Sequence, residues 1–194
     1  PDTIEEVKTK IAEIGDDRTI TSMTMVRGRR FMGHDIRHGR SQVRILRIFR
    51  NGYGRSTNAL MDEHIVTSEG QDILLRGWFV DDSLSPFEEW KEKHRGYAKR
   101  EALMVIRGEM NPNKVAYYKL PPYLRAFAYF ILRHFVSFGF LDGIPGLMWD
   151  FWQGLWYRCL VDREIGRLRR KMGRGIDWDG AFWMVWCALR RIGR

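Results

Sequence analysis

Cysteine is nearly absent from this 194-residue chain: Cys159 and Cys187 are the only two. Two thiols exclude a disulfide framework and a thiolate-rich zinc site, and they fit a reducing, cytoplasmic compartment. Long uncharged runs are missing as well. Between Leu124 and Arg158 the charges Arg125, Arg133, Asp142, Asp150 and Arg158 recur about every eight residues, so no run reaches the roughly 18–20 apolar residues of a spanning helix. There is no Walker loop, no HExxH, no GxSxG and no paired CxxC. His34, His38, His64, His94 and His134 show no metal-ligand spacing. No internal repeat or low-complexity tract stands out, and no signal-peptide pattern opens the chain.

What is present is positive charge and aromatic rings. The net charge is +9, with 44% hydrophobic and 29% charged residues; that balance excludes wholesale disorder and invites an anionic partner. Residues 1–116 hold 20 basic and 18 acidic side chains, whereas 117–194 hold 13 and 6, together with 18 of the 26 aromatics. A balanced polar portion is thus joined to a basic, aromatic one. The arginines do not cluster on one continuous helix, and no nucleic-acid-binding signature is visible, so a nucleic-acid partner is disfavoured.

Periodicity assigns the elements. Ile4, Val7, Ile11 and Ile14 predict a helix over 3–14, with Thr3 as N-cap and Glu6 completing a capping box. A chain that starts on a helix cap at Pro1 is expected to be part of something longer. Strands are predicted at 19–26, 43–49, 59–66 and 73–80, with Asn51-Gly52 as a hairpin-type turn. Ser85-Pro86 opens a helix to about 107. Further helices are expected at 123–138, at about 147–170 and at 178–192. The resulting division is a small sheet in 1–83 and a helical, basic, aromatic region in 84–194. Tryptophan and phenylalanine on one helix face with arginine on another would suit the headgroup plane of a membrane; a plain aromatic core is the alternative.

Three constellations carry candidate chemistry. Asp62-Glu63-His64 ends a short strand, where adjacent side chains point to opposite faces. One carboxylate there would serve as general base toward a hydroxyl; a solvated acidic pair is the simpler alternative. Arg37-His38-Gly39-Arg40, followed by Arg44 and Arg47, offers guanidinium forks for phosphate and a glycine for close backbone approach, or else an ordinary basic strand edge. Phe140-Leu141-Asp142-Gly143-Ile144-Pro145-Gly146 makes a rigid turn that folds one helix back on another. Asp177-Trp178-Asp179 has the form of a metal motif, but a helix N-cap region is the reading its position favours.

Taken in order, "RRFMGHDIRHG", "RILRIFRNGYGR", "MDEHIV" and "LPPYLRAFAYFILRHFVSFGFLDGIPGLMWDFWQGLWYRCLVD" resemble the C-terminal portion of bacterial family-2 glycosyltransferases of the lipopolysaccharide-core and exopolysaccharide type. The resemblance covers roughly residues 1–171 and is most specific at the FLDG-x-PG turn. It implies an α/β protein, the C-terminal part of an A-type glycosyltransferase fold followed by amphipathic, aromatic-rich helices. It also implies inverting transfer from a nucleotide-sugar donor to a lipid-linked or cell-envelope saccharide, at the cytoplasmic face of the inner membrane. By the same resemblance Glu63 is the general base, with Asp62 as alternate, and Arg37, His38, Gly39, Arg44, Arg47 and His64 belong to the donor or acceptor pocket. Arg40 stands where the family often has a second glycine. The divalent metal of the family, magnesium or manganese, is held by an Asp-x-Asp strand outside this chain, so this part alone is expected to be inactive. A non-catalytic membrane-surface protein is the alternative.

Overall fold

The computed structural model describes residues 2–57, 64–110 and 112–173. Helix α1 (Thr3–Ile14) leads into strands β1 (Ile20–Phe31), β2 (His34–Ile36), β3 (Val43–Phe49), β4 (Gly54–Ser56), β5 (Ile65–Thr67) and β6 (Gln71–Asp82). Helices α2 (Phe87–Arg107), α3 (Val115–Tyr118), α4 (Leu124–Ile131), α5 (Gly143–Trp149) and α6 (Tyr157–Lys171) follow. The protein is therefore α/β in the general sense. β1 is the central strand of a mixed sheet: β2 and β3 pair antiparallel with it, and β6 pairs parallel. β4 and β5 form a separate two-stranded ribbon. The expected strand over 59–66 is described only at its C-terminal end, in β5, and the predicted helix 178–192, with the Asp177-Trp178-Asp179 motif, lies outside the described residues.

The α1 terminus departs from the expected capping box. Asp2 is the N-cap, its Oδ1 accepting from Ile4 N at 3.0 Å, while Thr3 and Glu6 serve tertiary docking. β1 and β6 lose register between Thr24↔Leu74 and Val26↔Trp78, so two extra residues bulge out of β6. The freed amides of Arg76 and Gly77 donate to the Glu6 carboxylate at 2.8 and 2.6 Å. These bonds, led by that from Arg76, hold the Glu6 carboxyl below its ordinary range. Amides freed from a strand ladder need another acceptor, and that demand outweighs a local cap. Val7 and Ile14 pack on Met23, Met25 and Leu75 beneath the helix.

Ser85-Pro86 does open α2, but Pro86 is the cap residue rather than the first helical one. The break between the aromatic helices is shorter than expected. α4 continues as a π-helical stretch Leu132–Val136, a single turn at Gly139–Asp142 follows, and helix resumes at Gly143. It runs through a second π-helical stretch, Asp150–Trp156, into α6. The two arms meet at a bend of 69°. Sheet and helices share a core in which Phe31 and Ile36 meet Trp90 and Trp149, while α2 and α6 pack through Ala98, Ala102, Leu160, Val161 and Ile165.

Candidate functional site

Two helical stripes face one another across the C-terminal ends of β1 and β6. On α2, Trp90, Lys93, His94, Tyr97 and Glu101 recur every three or four residues. On the opposing helix, Trp149, Gln153 and Tyr157 do the same. Between them and the strand ends lies a cleft of about 720 Å³, within the range of small-molecule sites. Arg27 and Arg29 enter from β1, Asp81 and Asp82 from β6.

The cleft is rich in cations and donors. Arg29 Nη1 meets Asp81 Oδ2 at 2.8 Å and the guanidinium stacks 5.0 Å from the Trp149 ring centre. Burial lowers its pKa, opposed by Asp81. Arg29 Nε, Arg158 Nε and Trp149 Nε1 are buried without an acceptor among the described residues, and buried donors of this kind are costly unless something accepts from them. His94 stacks on Trp90 with ring centres 3.7 Å apart, and its Nδ1 lies 2.8 Å from Trp90 O. Burial lowers its pKa, which favours the neutral imidazole.

Glu101 closes the inner end. Its carboxylate accepts from Tyr157 Oη at 2.6 Å, Tyr118 Oη at 2.8 Å and Arg158 Nη1 at 2.9 Å, with Lys114 Nζ at 3.4 Å. Burial alone would raise its pKa, but Arg158 and Lys114 bring it down to about 2. The Tyr157 hydroxyl is pushed up by burial and by the adjacent Glu101 charge.

The residues singled out from sequence are distributed differently. Asp62 and Glu63 lie outside the described residues. His64 is exposed where its backbone pairs with Thr57, at the base of the β4–β5 ribbon. Arg44 and Arg47 are exposed on β3, Arg47 lying 5.3 Å from the Phe79 ring centre. Neither arginine lines the cleft, and Arg37 borders a smaller hollow of about 280 Å³ with Arg76 and Trp78.

The two most recognisable sequence patterns do meet. Asp142, from the FLDG turn, accepts from the amides of Arg37 and His38 at 3.0 and 2.8 Å and lies 2.7 Å from His38 Nδ1. Gly39 N donates to Ser137 O at 3.0 Å. A Cβ on Gly39 would stand 2.8 Å from Asp150 Oδ1, and Asp150 itself binds Arg133 Nε at 2.9 Å and lies 3.2 Å from His134 Nδ1. The turn therefore does more than reverse the chain: it fastens the helices to the Arg37-His38-Gly39 loop. Spacing missed the cleft because its residues come from strand ends and two helices far apart in sequence. The α2 stripe, with lysine, histidine and glutamate interleaved among aromatics, was the available signal.

Comparison with protein-family models, curated proteins and solved structures finds no match. Among the described residues no group of three or more His, Cys, Asp or Glu side chains is placed to hold a metal ion.

Proposed function

We propose that the chain is the C-terminal part of an inverting glycosyltransferase, moving a sugar from a nucleotide-sugar donor to a hydroxyl of a lipid-linked or cell-envelope saccharide. The observation that carries this reading is the cleft's pairing of guanidinium and ammonium groups with tryptophan and histidine ring faces. Arginine forks donate to phosphate oxygens, and aromatic faces take the C–H side of a pyranose. Arg29 and Lys93 are assigned to the phosphate-bearing end of the ligand and the half-buried rings of His94 and Tyr97 to the sugar, with the buried Trp90 and Trp149 backing the cleft wall. Glu63 is the proposed base, drawing the proton from the attacking hydroxyl. By the resemblance, a divalent metal would be held by residues outside this chain. Asp142 positions the Arg37-His38-Gly39 loop rather than touching ligand.

Titration with glucose 1-phosphate and with pyrophosphate tests the cleft. Binding in the millimolar range or tighter, weakened at least tenfold by Arg29→Gln, is expected; wild-type protein that ignores both probes would remove the support for this reading. In the intact protein, Glu63→Gln is expected to cut nucleoside-diphosphate release by 10²–10⁴-fold while glucose 1-phosphate binding persists. The alternative, a non-catalytic membrane-surface protein, is favoured by the apolar face described next, and it predicts no release from wild type.

A further inference from the structure

From Leu120 to Asp162 the exposed surface contains no charged residue and almost no polar group. Every exposed residue in that stretch is leucine, tyrosine, phenylalanine, alanine, valine, isoleucine or glycine. Leu124, Phe127 and Phe135 recur at helical spacing on the first arm, and exposed Leu120 lies just before it. Ile144, Leu147 and Phe151 do so on the second, and Ile144, beside the bend, is 74% exposed. Phe138, Phe140 and Leu141 complete the tip, also exposed. Phe138 holds φ at 58°, a left-handed conformation that glycine or asparagine adopts at less cost. The chain keeps a large exposed ring there nonetheless.

The stretch does contain three arginines and three aspartates, and none is exposed. Arg125 pairs with Asp162, Arg133 with Asp150, Arg158 with Glu101, and Asp142 with His38. The expected amphipathic arrangement, with arginines on an outer polar face, is thus inverted.

We infer that this face inserts into the apolar layer of a lipid bilayer, with the 138–144 bend as its leading edge. No single described helix is long and apolar enough to cross a membrane, although the bent pair Leu124–Val136 with Gly139–Lys171 passes that test together. A 69° bend with its tip exposed suits shallow insertion into one leaflet. Lipid is favoured over a protein partner because protein interfaces carry a polar rim and about one hydrogen bond per 100–200 Å². Here the only side-chain polar atom on an exposed residue is the Tyr123 hydroxyl. Exposed Lys119 and Arg163 bracket the stretch in sequence, as suits anionic headgroups. The inference stands independently of the transferase reading, since no step of it involves sugar or phosphate.

Flotation with vesicles of phosphatidylcholine and phosphatidylglycerol (3:1) tests it. Wild-type protein is expected to float, and to stay bound at 0.5 M NaCl, because apolar burial is not screened by salt. Ile144→Asp, alone and with Phe140→Asp, is expected to lower partitioning at least tenfold with an unchanged thermal melt. Ile144→Leu and Leu84→Asp, the latter at a 91% exposed site on the α2 approach, are expected to bind like wild type. Three outcomes overturn the proposal: no flotation of wild type, release at 0.5 M NaCl, or indifference to the aspartates. A lipid-free dimer that Ile144→Asp converts to monomer also overturns it, and assigns the face to a second copy of the chain.

Discussion

In the sheet and on its flanking helix α1, these ion pairs lie toward water: Arg30 meets Asp35 at 2.7 Å with side chains 39% and 29% exposed, and Lys8 meets Glu5 at 2.8 Å with both well exposed. In the bent helical pair the same residue types lie inside: Arg125 and Asp162 have side chains 4% and 1% exposed, and Arg133 with Asp150 is comparable. Phenylalanine and leucine take the outside there. The contrast shows that a basic, aromatic composition does not say where its charge resides. Residues 120–162 carry equal numbers of arginines and aspartates, so the excess positive charge of the C-terminal portion belongs to its flanks and not to the helical bend.

The sharpest way to break this comparison is to remove one partner on each side. Asp162 accepts from Arg125 Nε at 2.8 Å and from Tyr123 N at 2.7 Å. Replacing it by alanine strands a buried guanidinium and is expected to cost about 3–5 kcal/mol of unfolding free energy in urea titrations. Asp35→Ala in the sheet should leave the midpoint almost unmoved. The double variant Arg125→Met/Asp162→Leu is expected to recover much of the loss, because it removes both charges together. Equal effects at Asp162 and Asp35 would erase the distinction.

Acid sharpens the same contrast. The Glu101 carboxyl is held at about 2 against an ordinary 4.5, so its folded-state pKa lies below its unfolded value. Its contribution is then complete above pH 4.5 and lost as the pH falls toward 2, on the order of 3 kcal/mol in all. Unfolding midpoints measured between pH 5 and 2.5 are expected to fall steeply for wild type and less steeply for Glu101→Gln. Glu6 is also held low, by amides in an exposed setting, and Glu6→Gln should flatten the profile less.

The elements were legible because they rest on local signals. Alternation predicted β1, β3 and β6, and the 3–4 spacing predicted α1 and α2. What escaped was anything set by demand elsewhere in the chain. Glu6 is in the right place for a capping box, but a bulge some seventy residues away claims its carboxylate. The recurrence of Arg125, Arg133, Asp142, Asp150 and Arg158 about every eight residues argued against a spanning segment; it did not by itself assign these charges to an inward face, since eight residues carry a helix about 80° past two full turns. Reading that face as inward required knowing that each charge had a partner, and three of those partners, His38, Glu101 and Asp162, lie outside the run itself. The cleft was hidden for the same reason, because α2 and the 149–157 stripe meet only after the chain has folded back.

The smallest expected difference concerns the seam between the two regions. Gly33 and Gly39 both hold positive φ, 81° and 63°, in the loops that flank β2. Gly33 belongs to the sheet's own hairpin, and a Cβ there would meet none of the described residues within 4 Å; on Gly39 it would stand 2.8 Å from Asp150 Oδ1. Alanine at Gly33 therefore pays only the left-handed backbone term, about 1 kcal/mol. Alanine at Gly39 pays that and must also displace a carboxylate already committed to Arg133 and His134, for about 2 kcal/mol or more. Paired thermal melts of Gly33→Ala and Gly39→Ala read the difference directly. If the two fall together, the loop at Gly39 yields freely and Asp142 alone fastens the helices to the sheet; if Gly39→Ala is the worse, the second aspartate shares that task.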